Sequence, residues 1–434
     1  MGVEFTKTIT HCYTADVFIA GGGPAGCAAA LAAARSGSKV FLAESLYCLG
    51  GQGTAGMVPA FMQFGDGIHF LADGIGREIL ETMHRLGGEE YKNSHTYAIK
   101  AEALKRSYDD LLTDAGVEFC FGLTLIDVVV ENAAIQHCIL AGKSGLYAAK
   151  ASIYIDATGD ADMAYLAGVH CDKGDEQGRM MAGTLCSLWT GIQWDERNGS
   201  DRSQLERAIE DGVFDVPDLH LPGMWKISEK VGGGNIGHTF EVDGTDERSL
   251  TKALVRGRKL MEQYETYYKK YLSGYEDMEL VATGAMLGIR ETRRIRGVYQ
   301  LTLQDFLDRA DFEDEIGRYC YNVDIHASDN SVNSFQEFMK DHTGYRYKPG
   351  ENYGIPYRVL LPLGVDNLLV AGRCVSTDRP MQSSIRVMPG CYITGQASGV
   401  AASECVQKGV LPKDANIRNI QGVLKEMGMY LPNY

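Results

Sequence analysis

The sequence predicts an α/β fold: a discontinuous domain of three layers around a central parallel sheet, joined to an α+β region that covers it. Three observations carry that expectation. A short apolar run, DVFIA at 16–20, stops at a glycine turn and is followed by an Ala-rich segment and a second apolar run, KVFLAE at 39–44. Two further apolar runs, SIYIDATGD ending at 160 and NLLVAG at 367–372, also end in glycine far along the chain. The 51 glycines of the 434 residues sit on an ordinary globular background, 45% apolar and 23% charged with 11 prolines, so they mark turns and close approaches rather than disorder.

Taken in order, the segment CAAALAAARSG at 27–37 predicts a helix with Gly37 as its C-cap. Strand, glycine turn, helix, strand and terminal acid make a compact βαβ unit. Between 66 and 115, GIGREILETMHRLGG and AEALKRSYDDLLTDAG predict two amphipathic helices. Residues 117–155 alternate Val, Ile, Leu and Phe with small turns, which predicts three or four strands, and DADMAYLAG predicts a helix after the strand ending at 160. The stretch 170–250 is polar and glycine-punctuated and offers no clear element. A long helix is expected at about 247–273, its Tyr-rich run YETYYKKY packing as an amphipathic face rather than an aromatic cage. The last helix is expected at 389–409. At ~100–200 residues per domain, two or three interleaved domains are expected. The division predicted is 1–65, 100–168 and 360–434 as one discontinuous domain, 66–99 as a helical insertion, and 169–359 as a substrate or cap domain.

Charge and cysteine content narrow the partners. Lys and Arg number 42 against 57 Asp and Glu, a net charge of −15 that repels phosphate backbones, so nucleic-acid binding is disfavoured. The 11 cysteines are scattered and never spaced C-x-x-C, which indicates neither a zinc site nor a disulfide framework, and no metal is expected. Reduced thiols, no apolar run near the ~18 residues of a membrane span, and a start lacking the layout of a signal peptide make a cytoplasmic protein the expectation. The sequence is silent on oligomeric state; a homo-oligomer is compatible with it.

The G-x-G-x-x-G at 21–26 follows a predicted strand, opens a helix, and has Glu44 18 residues beyond its last glycine, the context of a dinucleotide site. Gly21 allows the tight turn, Gly23 lets backbone approach a pyrophosphate, and Gly26 lets helix and strand pack closely. The helix start, Pro24-Ala25-Gly26, offers free N–H groups to phosphate, and the Glu44 carboxylate suits ribose hydroxyls. A second glycine-rich stretch at 50–56, containing Gly51, Gln52 and Thr54, occupies a place where a simple nicotinamide dehydrogenase would continue into its next helix. Val387-Met388 precede Pro389, which suits a helix's first turn and can direct N–H groups at the electron-rich edge of a flavin.

This order resembles the FAD-dependent oxidoreductases of the glutathione-reductase-like superfamily. The resemblance runs from about 15 to 409 and rests on DVFIAGGGPAG, GGQGTAG, YIDATGDADMAYLAG, DGTDERSL, IRETRRIRG, VDIH, IPYRVLLP and NLLVAGRCVSTDRPMQSSIRVMPGCYITGQASG. It implies one non-covalent FAD, with Gly21 to Gly26 at the pyrophosphate and Glu44 at the ribose. It also implies Thr158, Gly159 and Asp160 beside the adenosine half, Gly372 and Arg373 beside the ribityl chain, and the 387–391 helix start, with Gly390, beside the ring. Ser45, Gly51, Gln52, Thr54 and Leu125 complete the expected cofactor set. Disulfide reductases of this superfamily carry a C-x-x-x-x-C pair here, whereas Cys48 is followed by Gly53 at that offset, so dithiol relay chemistry is not expected and Cys48 reads as a spectator. The histidine that anchors FAD covalently in the succinate dehydrogenase group is also missing from this stretch.

A second G-x-G-x-x-G, Gly232 to Gly237, has no apolar strand before it and no helix start after it, so it reads as a loop and no separate NAD(P)H domain is visible. For substrate chemistry, Arg290, Arg293, Arg294 and Arg296 place four cations within seven residues; on a helix over 286–296 the first three would share a face and capture a carboxylate. Structural ion pairing is the competing account. Asp324-Ile325-His326 offers an imidazole near a carboxylate, on one face if the segment is a strand, and His326 is the expected proton-transfer group. Tyr357 and Arg358 suit a carbonyl or carboxylate, and Arg386 suits negative charge on a reduced flavin. The activity expected is hydride transfer between flavin N5 and a small polar substrate, with a separate electron acceptor or donor. A flavin monooxygenase, a fumarate-reductase-like ene-reductase and a non-enzymatic FAD-binding subunit remain alternatives.

Overall fold

Strand β1 (Val17–Ala20), helix α1 (Pro24–Arg35) and strand β2 (Val40–Glu44) form the expected βαβ unit in the computed structural model, which describes residues 2, 6–88 and 96–434. Three later strands, β3 (Glu118–Phe121), β4 (Ile153–Asp156) and β5 (Leu368–Val370), join them in a sheet of order β5-β4-β1-β2-β3 with every pairing parallel. β1, β2, β4 and β5 are buried along their whole length, as a parallel sheet covered on both faces requires. Side-chain alternation then sorts the layers. Val17, Ile19, Val40, Leu42, Ile153 and Ile155 face one core, shared with α1 and the C-terminal helix α2 (Met388–Lys408). Phe18, Phe41 and Tyr154 face the other core, shared with Ile135, Cys138, Leu140 and Ala149 of a second sheet. That sheet joins Cys12–Thr14, Thr124–Glu131, Ala134–Gly142 and Gly145–Lys150. Three layers result.

Helices α1 and α2 approach closely because small residues face one another. A Cβ at Gly395 would run into the Ala25 carbonyl and one at Gly399 into the Ala29 carbonyl. Helix α1 begins at Pro24, three residues before the Ala-rich run, and ends at Arg35; Gly37, at φ 92°, follows the Ser36 cap and turns the chain.

The region between β4 and β5 carries its own sheet. Strands Gly223–Lys226, Gly232–Asn235, Ser187–Thr190 and Glu279–Thr283 pair antiparallel in that order. The glycine run expected as a loop is therefore a strand. Its bare backbone admits what a side chain would displace: a Cβ at Gly232 would lie 2.5 Å from Ile192 Cδ1 and one at Gly234 2.9 Å from Trp189 Nε1. Helix Glu247–Tyr271, capped by Asp246, packs Leu260, Met261, Tyr264, Tyr267 and Tyr268 with Trp189, as the amphipathic reading of the Tyr-rich run anticipated. The two helices expected between 66 and 115 span Ile75–Leu86 and Ala101–Asp114; residues 89–95 of the 66–99 insertion lie outside the described residues. No helix among the described residues is long and apolar enough to cross a membrane.

Candidate active site

The first half of the site is built at the ends of β1, β4 and β5. Gly21 turns the chain at φ 94°, and a Cβ there would lie 2.5 Å from the Ala157 carbonyl oxygen, so only glycine fits. A Cβ at Gly26 would overlap the Gly21 carbonyl, whereas one at Gly23 would meet nothing within 4 Å. That open face lies at the start of α1, whose N-cap Gly23 supplies no side chain to cap it and whose first turn holds Pro24 and Ala25. The Glu44 carboxylate is buried beside the turn, accepting the Gly22 N–H at 2.6 Å, the Leu46 N–H at 2.7 Å and the Ser45 hydroxyl at 3.1 Å. The second glycine stretch lies against the first. Gly50 donates to the Gly22 carbonyl at 2.7 Å, and a Cβ at Gly51 would be 3.4 Å from Gly23 Cα. Thr54 turns inward and donates to the Leu49 carbonyl at 2.5 Å.

From β4, Thr158 caps back on Asp156 at 2.7 Å, and Gly159 turns at φ 81°. From β5, Gly372 donates to Thr394 Oγ1 at 3.0 Å. Arg373 spans the two strand ends, donating to the Gly159 carbonyl at 2.8 Å and to Asp160 Oδ1 at 2.5 Å. Helix α2 starts at the N-cap Val387, again without a side-chain cap, with Pro389 in its first turn; a Cβ at Gly390 would run into the Ile385 carbonyl. The Met388 sulfur would lie 2.9 Å from a Cβ at Gly53. Leu125 stands apart, half-buried in the second sheet opposite Leu140. An uncapped helix start above an open glycine face at a sheet's switch point fits a dinucleotide pyrophosphate. The buried Gln52 Oε1, which has no hydrogen-bond partner, also fits a bound group.

The second half begins one residue before α2. Arg386 donates from Nη2 to the Asp324 carboxylate at 3.0 Å and to its carbonyl at 3.2 Å; its Nε is buried without a partner. His326 Nε2 lies 3.3 Å from the same Asp324 oxygen, and His326 Nδ1 lies 3.1 Å from His238 Nε2. Asp324 and His326 thus converge as expected, but from an irregular segment rather than a strand. Burial, then the Arg290 cation, holds the His326 imidazole well below its ordinary value, and burial pulls His238 down to about 4. Arg290 is buried, donating to the Ala182 carbonyl at 2.6 Å and Thr184 Oγ1 at 3.1 Å. Burial and the neighbouring Arg386 lower it to about 10, which leaves it cationic at neutral pH.

The other expected residues go elsewhere. No helix covers 286–296; Arg293–Ile295 is a strand paired antiparallel with Cys171–Lys173. The arginines accordingly diverge to separate partners. Arg293 pairs with Asp162 at 2.8 Å, Arg294 reaches Glu291 at 3.4 Å, and Arg296 pairs with Asp172 at 2.9 Å. Of the four, only Arg290 joins Arg386. Tyr357 is buried and donates to the Pro412 carbonyl at 2.9 Å, and Arg358 pairs with Asp314 at 2.9 Å. Tyr357→Phe is therefore expected to lower stability by about 0.5–1.5 kcal/mol, the loss of one buried hydrogen bond to a carbonyl that keeps the Ala415 N–H, as read by denaturant unfolding, rather than to weaken substrate binding.

Two histidines and an aspartate escaped the sequence reading. Asp218 accepts His220 Nδ1 and His238 Nδ1, each at 2.8 Å, and carries both rings to His326. The pattern Asp-x-His occurs at 218–220 and again at 324–326, a repetition that marks both ends of this cluster.

Fold and site together define a flavin-type dinucleotide enzyme, and the comparisons with known proteins agree. Residues 16–424 match the FAD dependent oxidoreductase family. The chain belongs to that family, and FAD is its cofactor. Over 239 residues it is 28% identical to a thiamine thiazole synthase of Desulfosudis oleivorans, a match covering 52% of this chain and 83% of that protein. It is similar in fold to p-nitrophenol 4-monooxygenase PnpA from Pseudomonas putida DLL-E4, at 11% identity and TM-score 0.51 over 96% of this chain and 84% of that one. A geranylgeranyl bacteriochlorophyll reductase-like protein of Thermoplasma acidophilum aligns at 12% identity and TM-score 0.48, over 96% and 83%.

Proposed function

We propose that this oxidoreductase transfers hydride between flavin and a small polar substrate bearing a hydroxyl or carboxylate, with a separate electron acceptor or donor closing the cycle. Bound FAD supplies hydride chemistry at N5 of its ring. Residues 1–65, 100–168 and 360–434 would hold it, with 66–99 inserted and 169–359 forming the cover. The turn from Gly21 to Gly26 and Glu44 would serve the pyrophosphate and ribose, Thr158 to Asp160 the adenosine half, Gly372 and Arg373 the ribityl chain, and residues 387–390 the ring.

The chain of close polar contacts Arg386–Asp324–His326–His238, which begins beside the uncapped helix start at Val387, carries this reading. Arg290 and Arg386 bring two guanidinium groups to one buried place, suited to a substrate carboxylate. The neutral imidazoles ending at His326 hold or move the proton at the substrate oxygen. Gln382, whose Nε2 donates to the Arg290 carbonyl at 2.8 Å, orients that segment.

Anaerobic bleaching of the flavin by small hydroxy acids, amino acids, sugars and enoates identifies the substrate. With it in hand, His326→Asn is expected to slow single-turnover flavin reduction by about 10²-fold or more while flavin content stays at the wild-type level. An unchanged rate removes His326 from the chemistry. Bleaching by NAD(P)H alone, with none of those compounds active, replaces this reading with a monooxygenase.

A further inference from the structure

Three imidazoles meet where Asp218 and Asp324 hold them. The Asp218 carboxylate receives a ring N–H on each oxygen, His220 Nδ1 on Oδ1 and His238 Nδ1 on Oδ2, and each oxygen also accepts the backbone N–H of the same histidine, at 3.0 and 3.1 Å. A carboxylate accepts and does not donate, so both Nδ1 atoms carry hydrogen, and in neutral rings both Nε2 atoms then present lone pairs. Asp324 does the same to the third ring: His326 Nε2 faces its Oδ2 at 3.3 Å, which leaves Nδ1 as the lone pair. These three atoms, His220 Nε2, His238 Nε2 and His326 Nδ1, all lie within 4.8 Å of one another.

Something positive belongs between them. His238 Nε2 and His326 Nδ1 are only 3.1 Å apart, and two lone pairs at that distance repel. One shared proton would satisfy this pair. It would leave His220 Nε2, a buried atom with no hydrogen-bond partner on a side chain 10% exposed, unsatisfied at a cost of about 1–3 kcal/mol. A metal ion satisfies all three. With metal–nitrogen bonds of about 2.0–2.1 Å, tetrahedral ligands stand roughly 3.3–3.4 Å apart, so the 3.1 Å pair is already spaced for one ion and the third ring has to close by at most about 1.5 Å.

We infer that His220, His238 and His326 bind one divalent transition-metal ion, of the zinc, iron or cobalt type, as three neutral imidazole ligands positioned by Asp218 and Asp324. Ring N–H groups given to carboxylates are the usual outer shell of histidine metal sites and fix which nitrogen ligates. The Phe335 and Phe338 rings pack on His220 at 5.1 and 4.5 Å and shield it from bulk water. Three protein ligands leave a coordination position open, the arrangement of reactive rather than structural sites. This deepens the proposed function and rests on it only for what the open position serves. A substrate hydroxyl or carbonyl oxygen would bind there, where the ion would supply Lewis-acid polarisation and make a hydroxyl proton easier to lose to solvent, with His326 acting as ligand rather than as the proton acceptor.

The test uses the FAD-loaded protein, stripped of metal with a chelator and titrated with Co²⁺ alone. One Co²⁺ per chain is expected, with ligand-field bands at longer wavelength than the flavin absorption, lost on addition of Zn²⁺. His220→Ala is expected to weaken Co²⁺ binding by at least ~10-fold and Asp218→Asn by ~10–100-fold, with flavin content as the check on folding. X-ray absorption at the cobalt edge of the unaltered protein, which needs no variant, is expected to show a shell of imidazole nitrogens. Uptake below about 0.1 Co²⁺ per chain, a shell without imidazole, or a folded His220→Ala that binds as the wild type overturns the inference. A protein that binds no Co²⁺ yet loses flavin reduction in His326→Asn retains the proton-transfer reading. One that binds Co²⁺ yet reduces flavin normally in His326→Asn loses the proposed function instead.

Discussion

Gly26→Val is expected to yield a chain that purifies with less than about a tenth of the wild-type flavin. A Cβ at position 26 would overlap the Gly21 carbonyl and stand 3.3 Å from the Ala157 Cβ, so α1 has to move away from the end of β1. It has little room. Residues Cys27 to Ala33 are fully buried, and Ala25 and Ala29 already meet the backbone of α2 at Gly395 and Gly399. Overpacking of this kind costs about 1–3 kcal/mol before any cofactor is considered. Its effect on binding adds to that, because the displaced part is the uncapped helix start, and every ~1.4 kcal/mol lost there is tenfold in affinity. The ratio of flavin to protein absorbance measures the outcome. Gly37→Ala is the contrasting substitution: the backbone there is left-handed, but the nearest atom to a Cβ is the Gln407 amide nitrogen at 3.8 Å, so the change strains a turn and leaves flavin content alone. A Gly26→Val protein with full flavin would show that helix and strand separate without disturbing the cradle.

The turn at 21–26 was legible because its constraints are local: each glycine answers to a neighbour within the same βαβ unit or to β4 beside it. The run at 232–237 has the same spelling and a different cause. Its glycines make room for Ile192, Trp189 and Pro59, residues distant in sequence, and no local pattern announces that. The arginines of 290–296 failed similarly. Helical spacing was a fair reading of IRETRRIRG, but the pairing of Arg293–Ile295 with Cys171–Lys173 and the separate acids that each arginine meets decide the conformation. His326 was recoverable from Asp324 two residues away. His220 carried the same signal, with Asp218 two residues away, and went unread; His238 was not recoverable, since the Asp218 that orients it and the His326 it meets come together only through the fold.

Glu291→Ala should destabilise the protein by about 3–5 kcal/mol, the usual cost of removing one partner from a buried ion pair. The Glu291 side chain is fully buried, and its Oε1 accepts the Met181 N–H at 2.7 Å and Arg379 Nη2 at 2.7 Å. Arg379 Nε adds a bond at 3.0 Å, and Arg294, itself nearly buried, approaches Oε2 at 3.4 Å. Truncation leaves two guanidinium groups without the carboxylate they share, in a place where burial already lowers Arg294 below its ordinary value. Glu291→Gln keeps an oxygen for one donor and is expected to lose less, which separates the charge from the shape. Arg379 also opens the short helix Arg379–Ile385, whose Ser383 accepts the Asp324 N–H at 2.9 Å and whose C-cap is Arg386. Without Glu291 that helix keeps its Ser383 and Gln382 bonds but loses the anchor at its first residue, which loosens the hold on Arg386 against Asp324. The variant should therefore show slower substrate-dependent flavin reduction even at temperatures where it remains folded, while the glycine turn, which Glu291 does not touch, keeps its FAD. Denaturant unfolding and single-turnover reduction on one preparation measure both effects, and a loss below about 1 kcal/mol would mean that Arg294 and Arg379 reach solvent once the carboxylate is gone.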